Sequence, residues 1–381
     1  MPANIKAKQH SSQLLLEHAD ETGLTGSTLH QDATTKHHTH VQGIQTTLRT
    51  GQQLTLCLNE VASGDADAYY KVFLNAVDDL AEFSPLPSEE AKAKLIASFK
   101  SFMNDQCSVN GVLNKKIEQL RKEVLPSVID YSSMSAEDIA KAESMGHYAC
   151  RMHLLANFAT AADKGVLAYE EAVSTGKNPH AYNNDDESGT LRLIRTSAKA
   201  LTKRGCDQAG VNSYFESFLA THNRSNHIVT YVGHRFNVMF VDAAAVFYHK
   251  DDIKTFLQLM PDPNRLLRAV AWDVKQRVYE AALRALGLLS KFVMEPFYKL
   301  LIDGKSILDI NNDLEALHVH LDSWSKDGSG IFSSPNIFEK YRVPADDEVL
   351  SMLFQETKDC ELRFLNTSGC GAHLWGTFTS I

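Results

Sequence analysis

No stretch of this chain approaches the roughly 20 consecutive apolar residues that a membrane span needs, so a helical membrane protein is excluded. The opening Met1-Pro2-Ala3-Asn4-Ile5-Lys6 lacks the basic start, apolar stretch and small-residue cleavage site of a secretory signal. Cysteine is scarce: six in 381 residues, at Cys57, Cys107, Cys150, Cys206, Cys360 and Cys370. They form no regular framework, so reduced thiols in nucleus or cytoplasm are expected, not a secreted disulfide scaffold. A surplus of positive charge is also missing. The formal net charge of −9 excludes a protein that coats nucleic acid by overall charge. Local basic faces stay open, because binding depends on where charge sits. No internal repeat is present.

What is present begins as strands. Thr28 to Thr35 is a first candidate, and His40 to Leu48 alternates polar and apolar positions with β-favouring Thr and Ile. Arg49-Thr50-Gly51-Gln52 has turn chemistry, and Gln53 to Leu58 alternates again. Three strands joined by two antiparallel connections make a meander. Asp65 then caps a helix carrying Ala68, Val72, Ala76 and Leu80, which Pro85 and Pro87 end. Leu95 to Met103 reads as a short buried strand, with Ala91 to Phe99 alternatively helical. A helix from Ser108 carries Val112, Leu113, Ile117 and Leu120 on one face and stops at Pro126. Ser135 caps another, with Asp138 in its first turn, and Gly146 to Leu167 reads as one helix. Residues 176–188 are loop-like, helices run to about Trp324, and a shorter helical pattern spans Asp346 to about Phe364. The ending from Asn366 to Trp375 has no periodicity.

Two carboxylates stand out. Asp32 lies in the first strand, and Asp105 closes the strand after the first helix. Side by side at strand ends they would bind a hard divalent cation through oxygen. A pair of such ions activates an attacking oxygen and stabilises a leaving one in phosphodiester cleavage. The plainer alternative is that Asp32 serves a turn and Asp105 caps the helix near Ser108.

Sequence context adds a resemblance. Leu29-His30-Gln31-Asp32-Ala33-Thr34-Thr35-Lys36, with Gly51-Gln52 and Gly64-Asp65-Ala66, resembles the opening of the RNase H-like domain of hAT-related DNA transposases. Met103-Asn104-Asp105-Gln106-Cys107-Ser108 resembles the segment bearing their second aspartate. Cys150-Arg151-Met152-His153-Leu154-Leu155-Ala156-Asn157 resembles their Cys-x-x-His segment. Gly233-His234-Arg235-Phe236-Asn237 resembles the Arg-Trp-rich segment of their helical insertion, with Phe236 where Trp is typical. The resemblance spans about residues 25 to 360.

It implies an α/β plus α architecture, an incomplete RNase H-like mixed sheet with a large all-helical insertion. The expected parts are an extension over 1–24, the α/β part over 25–164, the insertion over 165–325 and a tail over 326–381. It also implies two Asp and one Glu holding Mg2+ or Mn2+ for cleavage and transfer of DNA strands. Asp32 and Asp105 match the two aspartates. Glu356 and Glu361 lie where the glutamate belongs, but no matching motif surrounds them. The expectation is therefore a degenerate, inactive copy that lacks the family's final strand and helix and its N-terminal zinc finger. Two rivals are a non-catalytic helical scaffold that binds a protein or dimerises, and a metal-dependent nuclease completed by Glu118, Glu280 or Glu295.

Three further groups carry chemistry. Cys150 and His153, at i and i+3, share a face if helical, as metal ligation requires, although no further zinc ligands stand at suitable spacing. His37, His38 and His40 cluster at a hairpin end, where strand alternation leaves His38 and His40 on one face. Arg192, Arg195, Lys199 and Lys203 form a basic stripe opposite Leu191, Ile194, Ala198 and Leu201. Such a stripe contacts DNA phosphates without reading sequence. Arg265, Arg268 and Lys275 repeat the pattern, and a solvated face is the alternative for both.

Overall fold

Period-two alternation builds the sheet that the sequence leads one to expect. The computed structural model describes residues 3–17, 19, 22–36, 39–105, 107–173, 176–181, 187–203, 210–231, 237–303, 307–326, 331 and 337–355. The chain divides into two units, Met1–Cys150 and Arg151–Ile381. The division falls after Cys150, where the sequence reading set it at 164/165.

In the first unit, α1 (Ala3–Glu17) precedes three antiparallel strands, β1 (Ser27–Lys36), β2 (Thr39–Thr47) and β3 (Gln53–Val61). The β2–β3 turn is the one read from Arg49 to Gln52, with Gly51 at φ 85° and Leu48 bonded to both Gly51 and Gln52. Then follow α2 (Ala66–Glu82), α3 (Ser88–Ser98), β4 (Phe99–Asn104), α4 (Ser108–Val128), α5 (Ala136–Glu143) and β5 (Gly146–Ala149). β4 lies parallel to β1 and β5 parallel to β4, so the sheet order is β3-β2-β1-β4-β5.

The caps are where the sequence puts them. Asp65 accepts from the Ala68 amide at the start of α2, and Ser135 from the Asp138 amide at the start of α5. Three expectations are corrected. Leu95 to Met103 is not one strand: α3 buries Ala91, Leu95 and Ile96, then gives way directly to β4 at Phe99. Pro126 does not stop α4, which runs on to Val128. The missing amide removes one bond near the helix end, and Ile129 N bonds Leu125 O beyond it. Gly146–Ala149 is a strand, not the start of a helix.

One face of the sheet carries the core. Leu29, Ile44 and Phe102 are fully buried with Leu15 of α1, Phe73 of α2, Leu95 of α3 and Leu113 of α4. Phe73 and Phe99 meet edge-to-face at 6.0 Å. Each such buried ring contributes about 1.5–3 kcal/mol. Buried Arg121 of α4 donates to the carbonyls of Gly23, Ala97 and Ala142, and so ties three segments together from within.

The second unit is helical, with no strand among its described residues. Its helices are α6 (Arg151–Ala172), α7 (Gly189–Leu201), α8 (Asn212–Thr221), α9 (Val238–Tyr248), α10 (Lys250–Gln258), α11 (Arg265–Asp273), α12 (Arg277–Leu289), α13 (Glu295–Ile302), α14 (Ile307–Lys326) and α15 (Glu348–Phe354). A π-helical turn, Ser290–Met294, joins α12 to α13. Apolar on all sides, α9 is the central helix, buried from Met239 to Tyr248 except at Val241. Gly287 of α12 lets it approach closely: a Cβ there would lie 3.1 Å from Ala244 Cα and 2.8 Å from Leu353 Cδ2. No helix among the described residues is long and apolar enough to cross a membrane.

Candidate functional site

Asp32 is the sixth of the ten residues of β1 and is exposed, while its neighbour Gln31 is 3% exposed on the helix-covered face. Alternation alone turns the two opposite ways. The parallel β1–β4 register runs through Leu29–Phe102 and His30–Met103. Advancing both strands by two residues reaches Asp32 and Asp105. The pairing itself ends at His30–Met103 and β4 at Asn104, so Asp105 lies one residue past its strand, and only a continued register would set it in one row with Asp32. Asp32 is not at the end of its strand, since β1 continues beside β2 to Lys36. It lies where β4 stops and β1 goes on.

Asp105 also has a structural occupation. Its Oδ1 accepts from the Cys107 amide at 3.3 Å and from the Asn110 side-chain amide in the first turn of α4. This orders the β4–α4 turn, although the cap position itself belongs to Cys107. Burial pushes the Cys107 thiol pKa up, and the Asp105 carboxylate acts in the same direction. Tyr69 of α2 reports on the whole group. Its phenol pKa is raised first by burial and then by the charges of Cys107, Asp105, Asp65 and Asp32. Both candidate carboxylates thus act on one buried phenol.

Sequence reasoning noted Asp65 as a cap and missed that its charge reaches the same phenol. Both Asp65 oxygens are engaged, one by Ala68 N at 2.8 Å and the other by the Ser63 hydroxyl at 2.5 Å. Among the described residues, no three His, Cys, Asp or Glu side chains are grouped to hold a metal ion.

No protein-family model matches the chain, and no characterised protein matches it in sequence.

The alternative glutamates are engaged elsewhere. Glu118 accepts from Met145 N and lies 3.6 Å from His147 Nε2. Met145 precedes β5, beside Lys100, because Ser101 pairs with Gly146. That is five rows from Asp105, or roughly 16 Å at strand rise. In the second unit, Glu280 pairs with Lys250 at 3.0 Å, and Glu295 pairs with Lys291 at 3.1 Å and accepts from Ser290. Glu356, Glu361, Arg235, His37 and His38 lie outside the described residues. His40 bonds Thr35 Oγ1 through Nδ1 at 2.8 Å, as befits a hairpin end.

Cys150 and His153 do not share a helical face. Cys150 precedes α6, and its amide bonds Asn104 O at 2.8 Å, continuing the β4–β5 ladder. His153 is exposed in the first turn of α6.

The basic stripe is not continuous. Arg192 makes a bidentate pair with Asp273 at 3.0 and 2.8 Å, and Asp273 is fully buried. Arg195 makes another with Glu187, both bonds at 2.7 Å. Helix α7 is buried around most of its circumference, so charges on its polar side need partners inside the fold. Lys199 and Lys203 are exposed, with Lys203 only 3.9 Å from Glu216. In the second stripe Arg265 donates to the carbonyls of His180 and Ala181, and Arg268 to that of Pro263.

Proposed function

We propose that the chain is transposase-derived, with an RNase H-like front unit in which Asp32 and Asp105 together hold one Mg2+ or Mn2+ ion, and with DNA as its ancestral substrate. The observation that carries this reading is the parallel β1–β4 register through Leu29–Phe102 and His30–Met103, two residues before each carboxylate. A meander followed by a strand parallel to β1 supports the RNase H-like assignment. The donor set suits a hard cation, with carboxylate oxygens from two residues and water filling the other positions. When bound, the ion supplies charge stabilisation at a phosphodiester oxygen. Asp32 is open to solvent, and Cys107 N and Asn110 orient the Asp105 carboxylate in advance. Two carboxylates serve one ion, while in-line displacement in this class uses a pair. The chain therefore does not turn over DNA by itself.

The test uses the full chain. Mn2+ binding is read from the loss of the free-ion paramagnetic resonance signal. Asp32→Asn and Asp105→Asn are run in parallel, the latter keeping the oxygen that orders the turn. Duplex DNA is incubated with each metal beside the same variants. One bound ion, lost in both variants, and uncut DNA are expected. No binding by the unchanged chain refutes the site. Cleavage that vanishes in Asp105→Asn refutes inactivity and means that a further carboxylate completes the site.

A second reading, a helical interaction scaffold, is favoured by the internal pairing of Arg192 and Arg195. Those two guanidiniums are turned to folding, which leaves the stripe's contribution to DNA affinity with Lys199 of α7 and Lys203 just beyond it.

A further inference from the structure

An elaborate polar cluster lies within the helical unit. His249, between α9 and α10, is fully buried. Its Nδ1 lies 2.9 Å from Asp252 Oδ2, and its Nε2 lies 3.2 Å from the backbone amide of His227. An amide N–H only donates, so Nε2 must be the acceptor and Nδ1 the protonated nitrogen. The imidazole is therefore neutral in this arrangement. A second proton would sit on Nε2 and point at the His227 N–H.

His227 passes this constraint on. Its ring stacks on His249 at 5.5 Å, and its Nε2 bonds Glu348 Oε1 at 2.7 Å. The other oxygen, Oε2, accepts from the Tyr248 hydroxyl at 2.8 Å. Glu348 is the first residue of α15, a helix of seven residues. That is far below the length at which an isolated helix holds together in water. Its docking rests on this contact, on Leu353 packed over Gly287, and on the Arg284 guanidinium, which donates to the carbonyls of Leu353 and Gln355. A cleft of about 500 Å³ borders His227, Lys291 and the start of α15, so solvent reaches the contact.

We propose that His249 is a proton-operated latch: its neutral form holds His227 and, through it, α15, and its protonation releases α15 from the helical unit. The charged groups around the cluster set the direction. Asp252 favours a protonated His249, whereas burial, His227 and Arg224 oppose it, with burial the largest effect, so its pKa is lowered. Arg224 shares Asp252, at 2.7 Å, and lies over the Tyr248 ring at 4.5 Å. Glu348 is held below its ordinary value, first by the Tyr248 hydroxyl and then by His227. On the cleft side, Lys291 is paired with Asp347, and Asp346 stands beside it. Burial holds the His249 pKa below its ordinary value of 6.5, so a state in which the ring is freed takes up the proton first, and a drop in pH below this value favours that state over the packed one. Depression of Glu348 acts in the same sense at lower pH.

Hydrogen–deuterium exchange on the full chain tests this, read as protection factors so that the intrinsic exchange rate divides out. Between about pH 7.5 and about pH 5, protection over α15 should fall at least about ten-fold, with that of α12 within about three-fold. Glu348→Gln and His227→Gln keep a neutral hydrogen-bond partner at their positions and leave His249 intact, so both should retain the fall. His249→Gln offers a non-titrating acceptor to the His227 amide and should lose it. Unchanged protection over α15, or a fall that survives His249→Gln, overturns the proposal. Where His249→Gln does not fold, disappearance of the fall in Glu348→Gln overturns it equally, because the trigger is then the Glu348 carboxylate and not His249.

Discussion

Asp242 offers the sharpest test of the helical unit. It is the one charged residue in the apolar run Val238–Tyr248 and is fully buried. One oxygen accepts from Val229 N at 2.8 Å, and the other has no hydrogen-bond partner among the described residues. Burial raises its pKa from 3.8 to about 8, against a small opposing effect of the Val229 amide. The folded chain then keeps the proton that the unfolded chain gives up above pH 3.8. The contribution of Asp242 to stability is greatest at low pH, falls as pH rises from about 4 to about 8, and is flat beyond. The slope is about 1.4 kcal/mol per pH unit, so holding Asp242 neutral at pH 7 costs about 4 kcal/mol. Asp242→Asn keeps the acceptor for Val229 and cannot ionise. Its stability relative to the unchanged chain should therefore rise by about 3 kcal/mol between pH 5 and pH 7. Urea unfolding followed by tryptophan fluorescence suits the purpose, because Trp272 and Trp324 lie in the second unit and the first contains no tryptophan. A gap between the two proteins that stays constant over this range would refute the reasoning and mean that Asp242 is ionised in the fold.

Three other outcomes follow from the same contacts. Arg192→Met leaves fully buried Asp273 without its bidentate partner, and the urea midpoint should drop by the equivalent of about 3–5 kcal/mol, with partial recovery in Arg192→Met/Asp273→Asn. Gly287→Ala forces a Cβ to within 3.1 Å of Ala244 Cα and 2.8 Å of Leu353 Cδ2, which should lower the urea midpoint by the equivalent of about 1–3 kcal/mol. DNA binding, followed by fluorescence anisotropy across a salt series, should weaken for all sequences alike in Lys199→Glu/Lys203→Glu, each lost phosphate contact lowering the salt slope by about one; an unchanged slope assigns both lysines to solvation.

Much of the front unit was legible because local signals agreed there. Alternation, Thr and Ile content and the Gly51 turn all specify the hairpins, and Asp65 marks its own helix start. β5 was not legible: four residues give no measurable period, and apolar spacing in α6 begins immediately after them. The junction of α3 and β4 was hidden for a related reason, since both elements bury apolar residues without a loop between them. The carboxylate pair was half legible. Sequence identified Asp32 and Asp105, but the β1–β4 register that leads toward them belongs to a pairing about 70 residues apart. The basic stripe illustrates the opposite limit. Helical periodicity correctly gathers Arg192 and Arg195 on one side of α7, but it carries no information about Asp273, which lies 81 residues away and turns a surface pattern into an internal ion pair.

Asp105 has a structural role in the β4–α4 turn, and the metal-binding role proposed for it would use the same side chain. A carboxylate has two oxygens and about four acceptor positions. The β4–α4 turn uses Oδ1 twice, for Cys107 N and for Asn110. That use fixes the carboxylate plane, which an ion site needs, since ligands held by neighbouring groups lose less freedom on binding. It also makes loss of Asp105 ambiguous, because an alanine there removes the turn together with the charge. Asparagine separates the two, retaining the acceptor and discarding the charge. The chemistry assigned to Asp32 and Asp105 therefore stands or falls on the behaviour of Asp105→Asn, in which the fold contribution is held constant.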